Sequence, residues 1–315
     1  MNSLNSRAAK LCQQVIAQAD ELRVHVTQCE SGATLINCGL NGAGGLQAGR
    51  AMAEICLADL GSVAFQPSSE FTGSQLLVSV GTDHPVAACM ASQYAGWQIS
   101  VGKFFAMGSG PMRAAANKEE LFADIGMAEK TDIAVGVLET GKLPTREACE
   151  KIASDCGVAA EQLYLLVAPT ASIAGNVQVV ARSLETALHK MHEIGFDLSQ
   201  VSSGYGSAPL PPIAANDMTG IARTNDAVLY GGRVSLWVNC EDEEIERLGP
   251  QIPSCASRDF GRPFGEIFAE YDHDFYQVDP QLFSPAQVEL INLRSGRRFC
   301  FGQVRRDVLE LSFNG

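Results

Sequence analysis

The chain has 315 residues, 46% of them hydrophobic, enough to bury a sizeable core in one large or two modest domains and without the composition of a disordered protein. Its 23 basic and 36 acidic residues give a net charge of -13, which argues against nucleic acid as a partner because phosphate binding needs a basic footprint. A small anionic ligand would need a local cluster of Arg or Lys against this acidic background.

Residues 3–22 have helical periodicity, with Leu11, Val15 and Ala19 in one stripe. Residues 24–29 and 33–37 read as short strands around the Glu30-Ser31-Gly32 turn. A glycine-rich loop, residues 39–45, then leads into a helix ending near Asp59. Such a loop could cradle phosphate on its amides, but it has neither the GKS or GKT of a P-loop nor the spacing of a dinucleotide fingerprint, so it reads as a tight turn. Residues 76–80 form an apolar strand ended by a turn in which His84 precedes Pro85.

Residues 86–95 are small and apolar, and 97–107 suit a strand or strand pair. Gly108-Ser109-Gly110-Pro111 opens a helix carrying Arg113 in its first turn, which fits either an anionic group on a ligand or a turn with a solvated arginine. Residues 132–138 are a buried strand followed by Glu139-Thr140, and 144–154 a helix with Thr145 near its start.

After an apolar run at 163–167 and the turn Ala168-Pro169-Thr170, a long amphipathic helix is expected from about Asn176 to Gly195. Val177, Val180, Ala181, Leu184, Leu188 and Met191 fill its core sector, Gln178, Arg182, Glu185, His189 and His192 an adjoining polar stripe, and Ser183, Thr186 and Lys190 the outward face. Arg182 and Glu185 could be a solvated ion pair. A carboxylate with a guanidinium one turn away is also how a protein fixes a base and sets its pKa.

Residues 204–212 are too rich in proline for a central strand and read as a rigid loop. Arg223-Thr224-Asn225-Asp226 reads as turn chemistry ahead of a short apolar segment. No catalytic constellation is visible from 241 to 315. The ten cysteines are scattered, without CxxC or zinc spacing, and read as buried reduced thiols, with no metal expected. With no secretory pattern and no membrane-length apolar run, a cytoplasmic protein is expected.

APTASIAGNVQVVARSLETALHKMHEIGFD at 168–197, AMGSGPMRA at 106–114 and ARTNDAVLYGG at 222–232 together resemble methenyltetrahydromethanopterin cyclohydrolase. The resemblance implies hydrolysis of the methenyl bridge of a pterin to a formyl group, with no metal or redox cofactor, in a cytoplasmic homotrimer. It implies Glu185 as base and Arg182 as its neighbour, with Ser109, Arg113, Asn225 and Asp226 holding the pterin or its anionic tail. Two rivals are a phosphate- or nucleotide-dependent transferase built on the glycine-rich loops and a non-catalytic pterin-binding or assembly protein.

Gly44-x2-Gln47-x6-Glu54-x2-Leu57 and Gly175-x2-Gln178-x6-Glu185-x2-Leu188 share one spacing, and Pro85-Val86-Ala87-Ala88 is echoed by Pro212-Ile213-Ala214-Ala215. The expected fold is therefore α+β, with two related α/β subdomains, residues 1–160 and 161–315, and a cleft between them. Ala51 stands where the second copy has Arg182, which leaves the reactive pair in the second half alone.

Overall fold

The computed structural model describes residues 3–275 and 277–314. In chain order the strands are β1 (His25–Gln28), β2 (Thr34–Asn37), β3 (Ser62–Phe71), β4 (Ser74–Thr82), β5 (Trp97–Val101), β6 (Phe104–Ser109), β7 (Ala134–Glu139), β8 (Leu163–Ala168), β9 (Val201–Pro209), β10 (Arg233–Val238), β11 (Gln287–Asn292) and β12 (Arg298–Gly302). They form two six-stranded sheets, and the chain divides into two compact units. The fold is α+β, as expected.

Unit 1, residues 1–61 and 87–178, holds the sheet ordered β1-β2-β8-β7-β6-β5, in which β2, β8 and β7 run parallel. Its helices are α1 (Leu4–Ala17), α2 (Ala19–Leu22), α3 (Leu46–Cys56), α4 (Met112–Ala116), α5 (Leu121–Ile125), α6 (Arg146–Cys156) and α7 (Ile173–Val180), the last of which runs past the unit boundary. Thr145 caps α6 as its sequence position suggests, accepting from the Ala148 amide at 3.3 Å. Alternation along the strands divides the core in two. Val135, Val137 and Leu166 pack with α1 and α3, whereas Leu138, Leu165 and Val167 pack with α6.

Unit 2, residues 62–86 and 179–315, holds the sheet ordered β12-β11-β10-β9-β4-β3, in which only β10 and β11 are parallel. Its helices are α8 (Ser183–Glu193), α9 (Asp217–Gly231), α10 (Asp242–Leu248), α11 (Phe264–Glu270) and α12 (Arg306–Asn314). The units interleave in sequence, so a single boundary near residue 160 does not describe them: β8 and most of α7 stay with unit 1, and the β3–β4 hairpin belongs to unit 2. The two sheets differ in their parallel content and the second copy of the repeated spacing straddles residue 178, so a duplication is not seen in the topology.

Two local readings are corrected. Residues 204–209, expected in a rigid loop over 204–212, belong instead to β9, a central strand paired with both β4 and β10. Pro209 is the one proline within it and sits at its end, where a missing amide donor costs little. Residues 223–226 lie inside α9, which starts where Asn216 accepts from the Thr219 amide at 2.9 Å. No helix among the described residues is long and apolar enough to cross a membrane. The cysteines are free thiols, and burial pushes that of Cys38 up to about 12, but Cys255 and Cys300 are exposed rather than buried.

Candidate functional site

The long helix expected over 176–195 is two helices. α7 ends at Val180, Ala181 and Arg182 form a turn in which the Arg182 amide donates to Val179 O at 3.0 Å, and α8 restarts at Ser183. Arg182 is thus the N-cap residue of α8, and Glu185 lies in its first turn. This reverses an electrostatic expectation. In one continuous helix the Arg-then-Glu order works against the dipole, whereas in the first turn of a new helix a carboxylate faces the positive end.

Both side chains are inside the protein. Glu185 is 3% and Arg182 7% exposed, which rules out the solvated surface pair. A carboxylate and a guanidinium this buried persist only where hydrogen bonds or opposite charge compensate them. Ser183 and Lys190, expected on the outward face, are buried as well. The Lys190 ammonium donates to Gln281 O at 2.8 Å, so residues from the uncharacterised end of the chain cover α8. Burial brings the Lys190 pKa down to about 8, partly offset by the carboxylate of Asp279.

The backbone of β9 sets the height of this turn. A methyl group on Gly206 would stand 2.7 Å from Ser183 Oγ and 2.9 Å from the Leu184 backbone nitrogen, so α8 rests directly on the strand. At Gly204 the added carbon would meet only the side-chain tips of Leu184 and Leu236, at 2.7 and 3.1 Å. The bare backbone at Gly204 and Gly206 is what allows the helix to approach.

The other candidate residues fall in separate places. Ser109, at the end of β6, is buried and its hydroxyl donates to Val137 O at 3.3 Å. Arg113 is 1% exposed, with every guanidinium nitrogen engaged: Nε and Nη2 with Glu119, Nη1 with Met90 O at 3.0 Å and Ser92 O at 3.4 Å. Its plane lies over Tyr94 and Phe122, at 4.9 and 5.3 Å from the ring centres. Asn225 and Asp226 are neighbours on α9. Asn225 Nδ2 donates to Ile221 O at 2.9 Å, and Asp226 accepts from the Phe264 amide at 2.7 Å. Burial raises the Asp226 carboxyl to about 7. Within their units, therefore, Arg182 and Glu185 form one buried turn, Ser109 ties the end of β6 to β7 while Arg113 at the start of α4 ties Glu119 to the segment of Met90 and Ser92, and Asn225 and Asp226 lie within the helical layer of α9 and α11.

The comparisons agree with the motifs. The sequence model of the family described as Cyclohydrolase (MCH) matches residues 3–313. Proteins named methenyltetrahydromethanopterin cyclohydrolase are similar along nearly the whole chain. That of Methylobacillus flagellatus is 46% identical over 311 residues, 99% of this chain and 95% of its own. That of Xanthobacter autotrophicus is 47% identical over 313 residues, 99% of this chain and 93% of its own. That of Rhodopirellula baltica is 48% identical over 288 residues, 90% of this chain and 86% of its own. With a match of this length and a buried R-x-x-E turn at its centre, the chain belongs to the methenyltetrahydromethanopterin cyclohydrolase family.

Proposed function

We propose that this enzyme hydrolyses 5,10-methenyltetrahydromethanopterin to formyltetrahydromethanopterin, with Glu185 as proton acceptor and Arg182 as its charged neighbour. Family membership over nearly the whole chain supports the reaction. The burial of both side chains in one helical turn is the observation that carries the assignment of roles.

The methenyl carbon lies between two nitrogens that share a positive charge, so it is electrophilic without a metal or redox cofactor, and none enters this mechanism. The protein has to position a water, take its proton and help one C–N bond break. Water oxygen adds to the carbon while Glu185 accepts a proton, giving a neutral tetrahedral carbinolamine. One C–N bond then breaks as the hydroxyl proton leaves, and Glu185 passes its proton to the departing nitrogen. One proton is released for each water consumed. Arg182 and the positive end of α8 both favour the ionised carboxylate that must receive the first proton. They also limit its strength as a base, which the substrate's own positive charge offsets.

In this scheme Ser109, Arg113, Asn225 and Asp226 serve the pterin by fixing the backbone around it, since their side chains bond to Val137, Glu119, Ile221 and Phe264. The family resemblance further suggests a homotrimer in the cytoplasm, with sedimentation equilibrium as the direct measure of assembly. The test of function is loss of methenyl absorbance with methenyltetrahydromethanopterin and methenyltetrahydrofolate side by side, without added metal. Turnover of the first alone is the expected result. Turnover of neither would remove the proposal.

The support that β9 gives to α8 makes a second test. Gly206→Ala is expected to lift the turn carrying Arg182 and Glu185 and lower kcat about 10- to 100-fold, as small displacements of reacting groups do. Gly204→Ala, which meets only side-chain ends, is expected to cost about 1–3 kcal/mol of stability while keeping kcat near wild type. Equal kcat in the two variants, measured with denaturant midpoints alongside, would show that the height of the turn does not matter.

A further inference from the structure

The parallel strands β2, β8 and β7 end side by side, with Asn37 opposite Val167 and Glu139 opposite Ala168. After β2 and β8 the chain enters α3 and α7, whose Ala48, Met52 and Ala174 belong to one core layer. After β7 it enters α6, whose Ala148, Cys149 and Ile152 belong to the layer on the opposite face. The connections leaving β7 and β8 therefore diverge. This is a topological switch point, the place where open α/β sheets bind ligands outside the carboxyl ends of their strands.

Glu139 ends β7 and Thr170 follows β8 by two residues. Across the switch point Thr170 Oγ1 donates to Glu139 Oε1. Thr170 is 2% exposed and Glu139 is half-buried. The neighbouring polar groups build their own loops instead. Asn37 Oδ1 accepts from the Gly39 and Leu40 amides at 3.1 and 2.7 Å, and Ser172 Oγ donates to Pro169 O at 2.8 Å. The carboxylate that the fold carries to this edge is that of Glu139.

We propose that Glu139, steered by Thr170, binds the amino-pyrimidinone edge of the pterin. That edge presents two adjacent donors, the ring N3–H and the exocyclic amino group, and a carboxylate matches them with its two oxygens. The proposal rests on the cyclohydrolase reading and adds the residue that recognises the ring remote from the methenyl carbon. Glu139 takes part in binding and not in proton transfer, and Thr170 acts through it as a positioning residue.

The test is Glu139→Gln, which keeps the shape but places an amide donor against a donor. The KM for methenyltetrahydromethanopterin is expected to rise about 10- to 100-fold with kcat within about threefold, the scale of losing a charge-assisted hydrogen bond. Equilibrium affinity for tetrahydromethanopterin itself should fall in parallel. Thr170→Val, which leaves the carboxylate in place, should raise KM about 3- to 10-fold and gives a second reading if the Gln variant folds poorly. Unchanged KM and affinity in both variants, or a collapse of kcat at constant KM, would overturn the proposal. A wild-type protein that does not turn over the methenyl substrate would instead overturn the cyclohydrolase reading itself.

Discussion

Glu185→Gln is expected to yield a folded protein whose turnover falls by about two to four orders of magnitude, the usual contribution of a positioned general base. Glutamine has nearly the same volume and can still hydrogen-bond, but its amide cannot accept a proton from water and return it to a leaving nitrogen. At a buried turn the competing explanation is structural. If Glu185 only neutralised buried positive charge, its replacement would cost stability of about 3–5 kcal/mol and leave kcat unchanged in the molecules that remain folded. The two roles thus separate when kcat is measured per folded molecule beside a denaturant midpoint. Near-normal turnover in this variant would remove the mechanism proposed for α8.

Local sequence carried much of what positions this site, because the relevant signals are short-range. Strands β2, β7 and β8 are apolar runs bounded by turns, α6 starts at a capping threonine, and the R-x-x-E spacing places two polar groups one turn apart on any helix. What was not legible depends on distant partners. Nothing at Ala181-Arg182 resembles a helix breaker; the turn there accompanies the close seating of Ser183 and Leu184 on β9, whose bare glycines accept them. β9 read as part of a loop because of Pro209, Pro211 and Pro212, whereas its central position comes from pairing with β4, more than a hundred residues earlier. Lys190 looked solvent-facing because its cover, the Gln281 segment, lies 91 residues further on. Glu139 and Thr170 were visible only as strand-end residues, and their meeting needs the parallel register of β7 and β8.

Arg113 shows the same limit, and its replacement should have the largest effect on stability. Arg113→Met fills much of the same space but removes both bonds to Glu119, the donors to Met90 O and Ser92 O, and the charge held over Tyr94 and Phe122. Breaking a buried ion pair from one side costs about 3–5 kcal/mol, and each buried carbonyl left without a donor about 1–3 kcal/mol. The Glu119 side chain is 18% exposed and regains some hydration, which holds the expected total to about 4–6 kcal/mol, a large part of a typical domain's stability. Arg113→Lys should recover little, because one ammonium cannot replace the planar fork that reaches Glu119 through two nitrogens and the two carbonyls through a third. Unfolding in urea, followed by circular dichroism, checks both variants. If the arginine serves mainly to meet an anionic ligand, Arg113→Met will unfold at the wild-type midpoint and lose substrate affinity instead. A bracing role predicts a sharply lower midpoint instead, with a rise in KM, in whatever fraction stays folded, much smaller than loss of a direct charged contact would give.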